Sequence, residues 1–169
     1  YEIAAKHLKS CFPHLKIGGP AICGNVEWGG DFLCEMQKRN VPIDFFSWHI
    51  YTTDIDHLER RTNAVKDLLV KYGYENAESI LNEWNYVKGW GIDEQGVNKF
   101  VYSLEVMRSE KGAAFVSAVM SKSREISIDM LMYYDTRPST FNGVFDFYTL
   151  RPIKGYYPFY WYGMLYDMQ

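Results

Sequence analysis

Glu83 lies in the stretch SILNEWNY at 79–86, where a strand-like apolar run ends in a single carboxylate between Asn82 and Trp84. Such a glutamate is either a surface charge at a strand end, or the group the strand exists to present. Upstream, WHIY at 48–51 sets His49 and Tyr51 two positions apart, so on a strand both side chains point the same way. Facing a carboxylate on a neighbouring strand, either would donate a hydrogen bond that favours the ionised form and fixes its orientation. The competing reading of His49 is a core histidine bonded to backbone.

Around these groups stand aromatic residues suited to stacking on a sugar or base ring. Trp48, Trp84 and Trp90 are the candidate platforms, with Asn85 as a neighbouring polar contact. The chain holds 14 Tyr, 10 Phe and 5 Trp, 17% aromatic, which fits either a stacking cleft or a large aromatic core. Asp135 and Arg137 read as a strand-end ion pair. Glu27 and Asp54 read as solvated loop carboxylates.

The elements that must carry these residues alternate. Helical spacing covers 2–11, and KIGGPAI at 16–22 reads as a strand. A helix over 30–39 is capped by Asp31 or Gly30. The β-prone run IDFFSWHIY follows at 43–51, then a helix over 56–72 capped by Asp54 or Asp56 and closed by Gly73. The third strand is 78–84. A glycine-marked loop leads to a long helical region, 97–123, with a break at Lys111-Gly112. The fourth strand is 126–134, and an aromatic helix covers 154–167.

The order αβαβαβαβα predicts a parallel sheet with right-handed crossovers. Two architectures fit: a doubly wound sheet, or part of a (β/α)8 barrel, of which four strands are half and a whole typically takes about 250 residues. Neither GxGxxG nor GxxxxGK[ST] occurs, so the phosphate loop of a doubly wound nucleotide domain is missing. In a barrel the site gathers at the C-terminal strand ends. All four ends here are polar and aromatic: Cys23 to Trp28, Ser47 to Tyr51, Asn82 to Asn85, and Tyr133 to Arg137.

Composition narrows the partners. A net charge of −3 with no basic stripe argues against nucleic acid. No apolar run approaches the roughly 20 residues of a membrane span. Cys11, Cys23 and Cys34 lack metal-like spacing and are odd in number, which predicts buried free thiols. The chain opens at Tyr1 inside a helical pattern, without a leader-like segment, and reads as a cut in a longer protein. Localisation does not follow from it.

KIGGPA, VPIDFFSWHIY, ILNEWNY and the closing FNGVFDFYTLRPIKGYYPFYWYGML, in that order, resemble the second half of clan-A glycoside hydrolases. The nearest likeness is to glycoside hydrolase family 39, the family of β-xylosidase and α-L-iduronidase, and it covers essentially the whole chain. The resemblance implies an α/β fold that is the C-terminal half of a (β/α)8 TIM barrel, strands 5–8 with their helices. Residues 1–169 would then be a partial catalytic domain lacking its N-terminal half. It implies retaining hydrolysis of an O-glycosidic bond, with Glu83 at the nucleophile position and His49 and Tyr51 at the His-x-Tyr that lines the sugar site. The acid/base glutamate has no counterpart here.

The implied substrate is a carbohydrate, with Trp48, His49, Tyr51, Trp84, Asn85 and Trp90 as its contacts, and with no cofactor and no metal. On this reading the chain alone is inactive, and needs the other half or a second copy of itself. The alternative is a non-catalytic carbohydrate-binding or pseudoenzyme half-barrel.

Overall fold

The computed structural model describes residues 1–168. The chain forms α1 (Glu2–Cys11), β1 (Gly18–Cys23), α2 (Val26–Lys38), β2 (Phe45–Thr52), α3 (Ile55–Lys71) and β3 (Glu78–Tyr86). Then follow α4 (Lys99–Met107), α5 (Glu110–Lys122), β4 (Met130–Tyr133) and, after a 3₁₀ turn at Lys154–Tyr156, α6 (Tyr157–Tyr166). The strands make one four-stranded sheet in the order β1-β2-β3-β4, and β1 and β2 pair in parallel. The alternating α/β order is as expected from the sequence.

Two compact units are present. The first holds Tyr1–Ile50, Asp56–Asn82 and Ile126–Leu131; the second holds Tyr51–Ile55, Glu83–Glu125 and residues 132–168.

In the first unit, period-two alternation on β2 buries Phe46, Trp48 and Ile50, while Phe45 and His49 stay half-exposed. Helix α3 buries Leu58, Thr62, Val65 and Leu69, a helical stripe of the kind that packs on a sheet. Gly29 lets α2 come close: a Cβ there would stand 2.9 Å from Ile22 Cδ1 and 3.2 Å from Phe46 Cζ. Asn25 starts α2 by accepting the backbone N–H of Trp28 at 2.9 Å. That sets the helix start ahead of Gly30 and Asp31, and places Glu27 on the helix rather than in a loop, solvent-exposed all the same.

In the second unit the region 97–123 is two helices, broken at Arg108-Ser109 rather than at Lys111-Gly112. Gly112 is instead the point where α5 meets the end of α4. A Cβ on Gly112 would lie 2.3 Å from Val106 O and 2.8 Å from Met107 Cα. Phe115, Val116 and Val119 complete the buried face of α5. Strand β4 is four residues long, shorter than the pattern over 126–134 suggests, because Ile126 and Ser127 lie in a turn and Asp129 and Tyr134 in bends at its two ends.

The cysteines depart from expectation. Cys11 and Cys23 are exposed and Cys34 is half-buried, though all three are free thiols as expected. Among the described residues no helix is long and apolar enough to cross a membrane.

Gly112→Ala places a methyl against backbone that cannot yield. The overpacking, about 1–3 kcal/mol, outweighs the gain of up to about 1 kcal/mol in helix propensity. A net loss of about 1–2 kcal/mol is expected, read as a fall in thermal midpoint of roughly 2–8 °C. Gly163→Ala on α6, where a Cβ meets nothing within 4 Å, raises the midpoint instead. The same sign for both substitutions would contradict this account of α5.

Candidate active site

Glu83 near the end of β3 is half-buried, and the Tyr51 hydroxyl donates to its Oε2 at 2.5 Å. A phenol held this close to a carboxylate is a charge-assisted hydrogen bond, stronger than a neutral one, and it fixes the carboxylate's orientation. The pairing foreseen between the His-x-Tyr strand and Glu83 is therefore present for Tyr51. His49 is half-buried two positions earlier on the same strand face, with Cys23 of β1 as its Cα partner.

Two of the expected platforms are corrected. Trp48 is 1% exposed, and its indole N–H donates to Ser79 Oγ at 3.0 Å. Trp84 is 2% exposed, edge-on to Tyr133 with ring centroids 5.0 Å apart and tilted against Phe115 at 6.3 Å. Neither presents a ring face to a ligand, and any further protein would only bury them more. The signal was already in the chain: the alternation that turns His49 and Tyr51 one way turns Trp48 the other.

Trp90 does fit a platform. It is 67% exposed and one face stacks on Phe100, with ring centroids 4.6 Å apart and the planes at 25°. Its loop is built up from side chains. Asp93 Oδ1 accepts the N–H groups of Gln95 and Val97 at 3.1 and 2.9 Å, and Lys88 Nζ pairs with Asp93 Oδ2 at 3.0 Å. Buried Ser103 accepts the Lys88 N–H at 2.9 Å. These bonds hold the Asp93 carboxyl below the usual carboxylate range, the Val97 N–H contributing most.

Trp90 walls a cleft of about 230 Å³, together with Tyr51, Asn85, Phe100, Phe141 and Arg137. Phe100 and Phe141 carried no periodic or charge signal in the sequence that would have marked them.

Asn85 is a structural clamp more than a ligand contact. It is 2% exposed. Its Oδ1 accepts the Tyr86 N–H at 2.7 Å and the Tyr133 hydroxyl at 3.1 Å, and its Nδ2 donates to Tyr134 O at 2.7 Å. The end of β3 is thereby tied to the end of β4, where Tyr134 N also donates to Trp84 O at 3.2 Å. Burial pushes the Tyr133 phenol above its ordinary range, so it stays a donor.

Beyond β4, Asp135 and Arg137 form the expected ion pair at 2.7 Å. The loop that follows is pinned by Asp146. Its Oδ1 accepts Tyr148 N, Thr149 N and Thr149 Oγ1 at 3.1, 2.9 and 2.9 Å, and its Oδ2 pairs with Arg108 Nη2 at 2.8 Å. The Thr149 bonds first, and Arg108 further down, hold the Asp146 carboxyl below the usual range. A carboxyl lowered in this way supports the loop above its unfolded-state pKa, and the support is lost as pH falls through the lowered value. Among the described residues no group of three or more His, Cys, Asp or Glu side chains could hold a metal ion.

The α/β sheet thus carries a tyrosine-bound glutamate, with an aromatic cleft lined in part by the same tyrosine. Comparison with known proteins makes the class specific. The profile of glycosyl hydrolases family 39 matches residues 1–143, and the chain belongs to that family. A curated β-xylosidase from Geobacillus stearothermophilus is 52% identical over 58 residues, 34% of this chain and 12% of that protein. Among solved structures, a monomeric β-xylosidase from Caulobacter crescentus CB15 aligns with a TM-score of 0.76 at 16% identity, covering 96% of this chain and 36% of that one. A glucosidase from Croceicoccus marinus gives 0.66 at 23% identity, covering 86% and 31%. These two likenesses establish the fold, and the chain spans about a third of either structure.

Asn85→Ala leaves the Tyr86 N–H and the Tyr133 hydroxyl buried without their acceptor. At about 1–3 kcal/mol for each of these two stranded groups, a loss of roughly 2–6 kcal/mol is expected in urea unfolding. Trp90→Ala, at an exposed ring, costs less than about 1.5 kcal/mol. Equal losses would contradict the different roles assigned to the two.

Proposed function

We propose that this chain is part of a retaining glycoside hydrolase that cleaves O-glycosidic bonds by double displacement, with Glu83 as the nucleophile. The observation that carries the reading is the Tyr51–Glu83 hydrogen bond in a chain of family 39. A nucleophilic carboxylate must be aimed, and the donor at 2.5 Å on Oε2 holds its orientation. With Oε2 held by Tyr51, attack falls to Oε1.

In the first step Glu83 bonds to the anomeric carbon as the bond to the leaving oxygen breaks, and an acid delivers a proton to that oxygen. In the second, water attacks the anomeric carbon, the same residue takes the water's proton, and the Glu83 carboxylate is released. The two carboxyls of such a pair stand about 5–5.5 Å apart. We assign the acid/base to polypeptide other than these 169 residues. His49, on the strand face of Tyr51, is assigned to sugar hydroxyls or to orienting Glu83, and Trp90 to ring stacking. No metal or cofactor takes part in these steps.

We read the four-stranded sheet as strands 5–8 of a (β/α)8 barrel, with residues 1–169 as part of the catalytic domain. The likeness to the C. crescentus β-xylosidase over 96% of the chain supports this. The edge strands β1 and β4 each lack a neighbour on one side among the described residues. Met130 and Met132 on β4 are 46% and 44% exposed, and Trp161 and Leu165 on α6 are 57% and 59% exposed. Open edges and apolar surface of this kind seek a partner. The proposed partner is the polypeptide that completes the barrel or, without it, a second copy.

The test is hydrolysis of a panel of aryl glycosides by the completed barrel and by the 169 residues alone. Glu83→Gln in the completed barrel should lower kcat by a factor on the order of 10⁴, the scale of losing a catalytic nucleophile. The chain by itself should be inactive and associate in light scattering. Unchanged turnover in Glu83→Gln would remove the assignment, and an active monomer of the chain alone would remove the half-barrel reading.

A further inference from the structure

The cleft beside Glu83 is aromatic, and most of its polar side chains are already committed. The Tyr51 hydroxyl donates to Glu83. Asn85 uses both ends of its amide within the protein. Asn142 Nδ2 donates to Tyr134 O at 3.3 Å. Arg137 Nε holds Asp135. What remains toward the cavity is mainly ring surface from Trp90, Phe100, Tyr134 and Phe141, with the two Nη groups of Arg137 as the remaining charged donors.

A sugar brings several hydroxyls, and each one taken from water without a partner costs binding. A flat apolar ring brings none of that cost, and gains from stacking on an exposed indole face backed by a second ring. A volume of about 230 Å³ lies below the usual range for drug-sized ligands, about 300–1,000 Å³, and suits one ring rather than a chain of sugars.

We propose that this cleft is a slot for an aryl group carried by the glycoside, so that the protein acts on aromatic-substituted sugars. The inference rests on the reading of Glu83 as the carboxylate that meets the anomeric carbon, because the slot adjoins that carboxylate through Tyr51. The aryl group has two chemical sources: the aglycone of an aryl glycoside, or an aromatic ester on a sugar hydroxyl. Both present the same flat ring to Trp90.

The experiment is calorimetric titration of the completed barrel carrying Glu83→Gln, which keeps the probes intact, with three probes: methyl β-xyloside, phenyl β-xyloside and an O-benzoylated methyl β-xyloside. At least one aryl probe should bind ten times or more tighter than methyl β-xyloside. The advantage should vanish in Trp90→Ala and be largely kept in Trp90→Phe, which preserves a stacking ring at an exposed position. A gain confined to the phenyl probe identifies the aglycone as the source, and a gain confined to the benzoylated probe identifies the ester. Equal binding of all three probes, or an aryl advantage that survives Trp90→Ala, would overturn the proposal. These readings are of binding alone, so a failure of Glu83 as nucleophile would show in turnover and leave the ratios unchanged.

Discussion

A β-strand hands successive side chains to opposite faces, and this constraint sorts the residues of the strand that carries Tyr51. On β2 it sends Phe46, Trp48 and Ile50 into the core and leaves His49 and Tyr51 on the other side. The apolar face must be buried for the strand to form at all. The opposite face is then available for chemistry, at positions the core has already made rigid. The Tyr51 hydroxyl bond to Glu83 is one product of that arrangement.

What the core gives to Tyr51, hydrogen bonding gives to the residues after Glu83. Asn85 saturates its amide on Tyr86, Tyr133 and Tyr134. Ser103 and Asp93 shape the loop that carries Trp90, and Asp146 with Arg108 shapes the loop after β4. A site on loops needs such bonds, because loops lack the ladder that fixes a strand. The cost is that polar groups used for scaffolding are lost to the ligand, which is why the cleft presents mainly rings.

The alternating fold was legible in the sequence, because apolar runs of strand length and helical stripes such as Leu58-Thr62-Val65-Leu69 carry distinct periods. Boundaries were less so. Asn25 and Asp31 are both good caps, and only the packing of Gly29 on Ile22 and Phe46 decides that α2 begins at the first. Of the candidate site, the Tyr51–Glu83 pair followed from spacing. The tryptophans did not, because a composition rich in aromatics fits a core and a cleft equally. Strand alternation separates Trp48 from Tyr51, and only tertiary contacts show Trp90 resting on Phe100. The clamp role of Asn85 depends on Tyr133 and Tyr134, 48 and 49 positions away, and no local pattern encodes it.

The central claim is that Glu83 forms a bond to the anomeric carbon. Incubating the completed barrel with a 2-deoxy-2-fluoro glycoside bearing a good leaving group slows the second step and traps the glycosyl ester. Peptide mapping by mass spectrometry then locates the added sugar. The account predicts one label per active site, on the peptide containing Glu83, and no label in Glu83→Gln. A label on another carboxylate, with Glu83 unmodified, would contradict it.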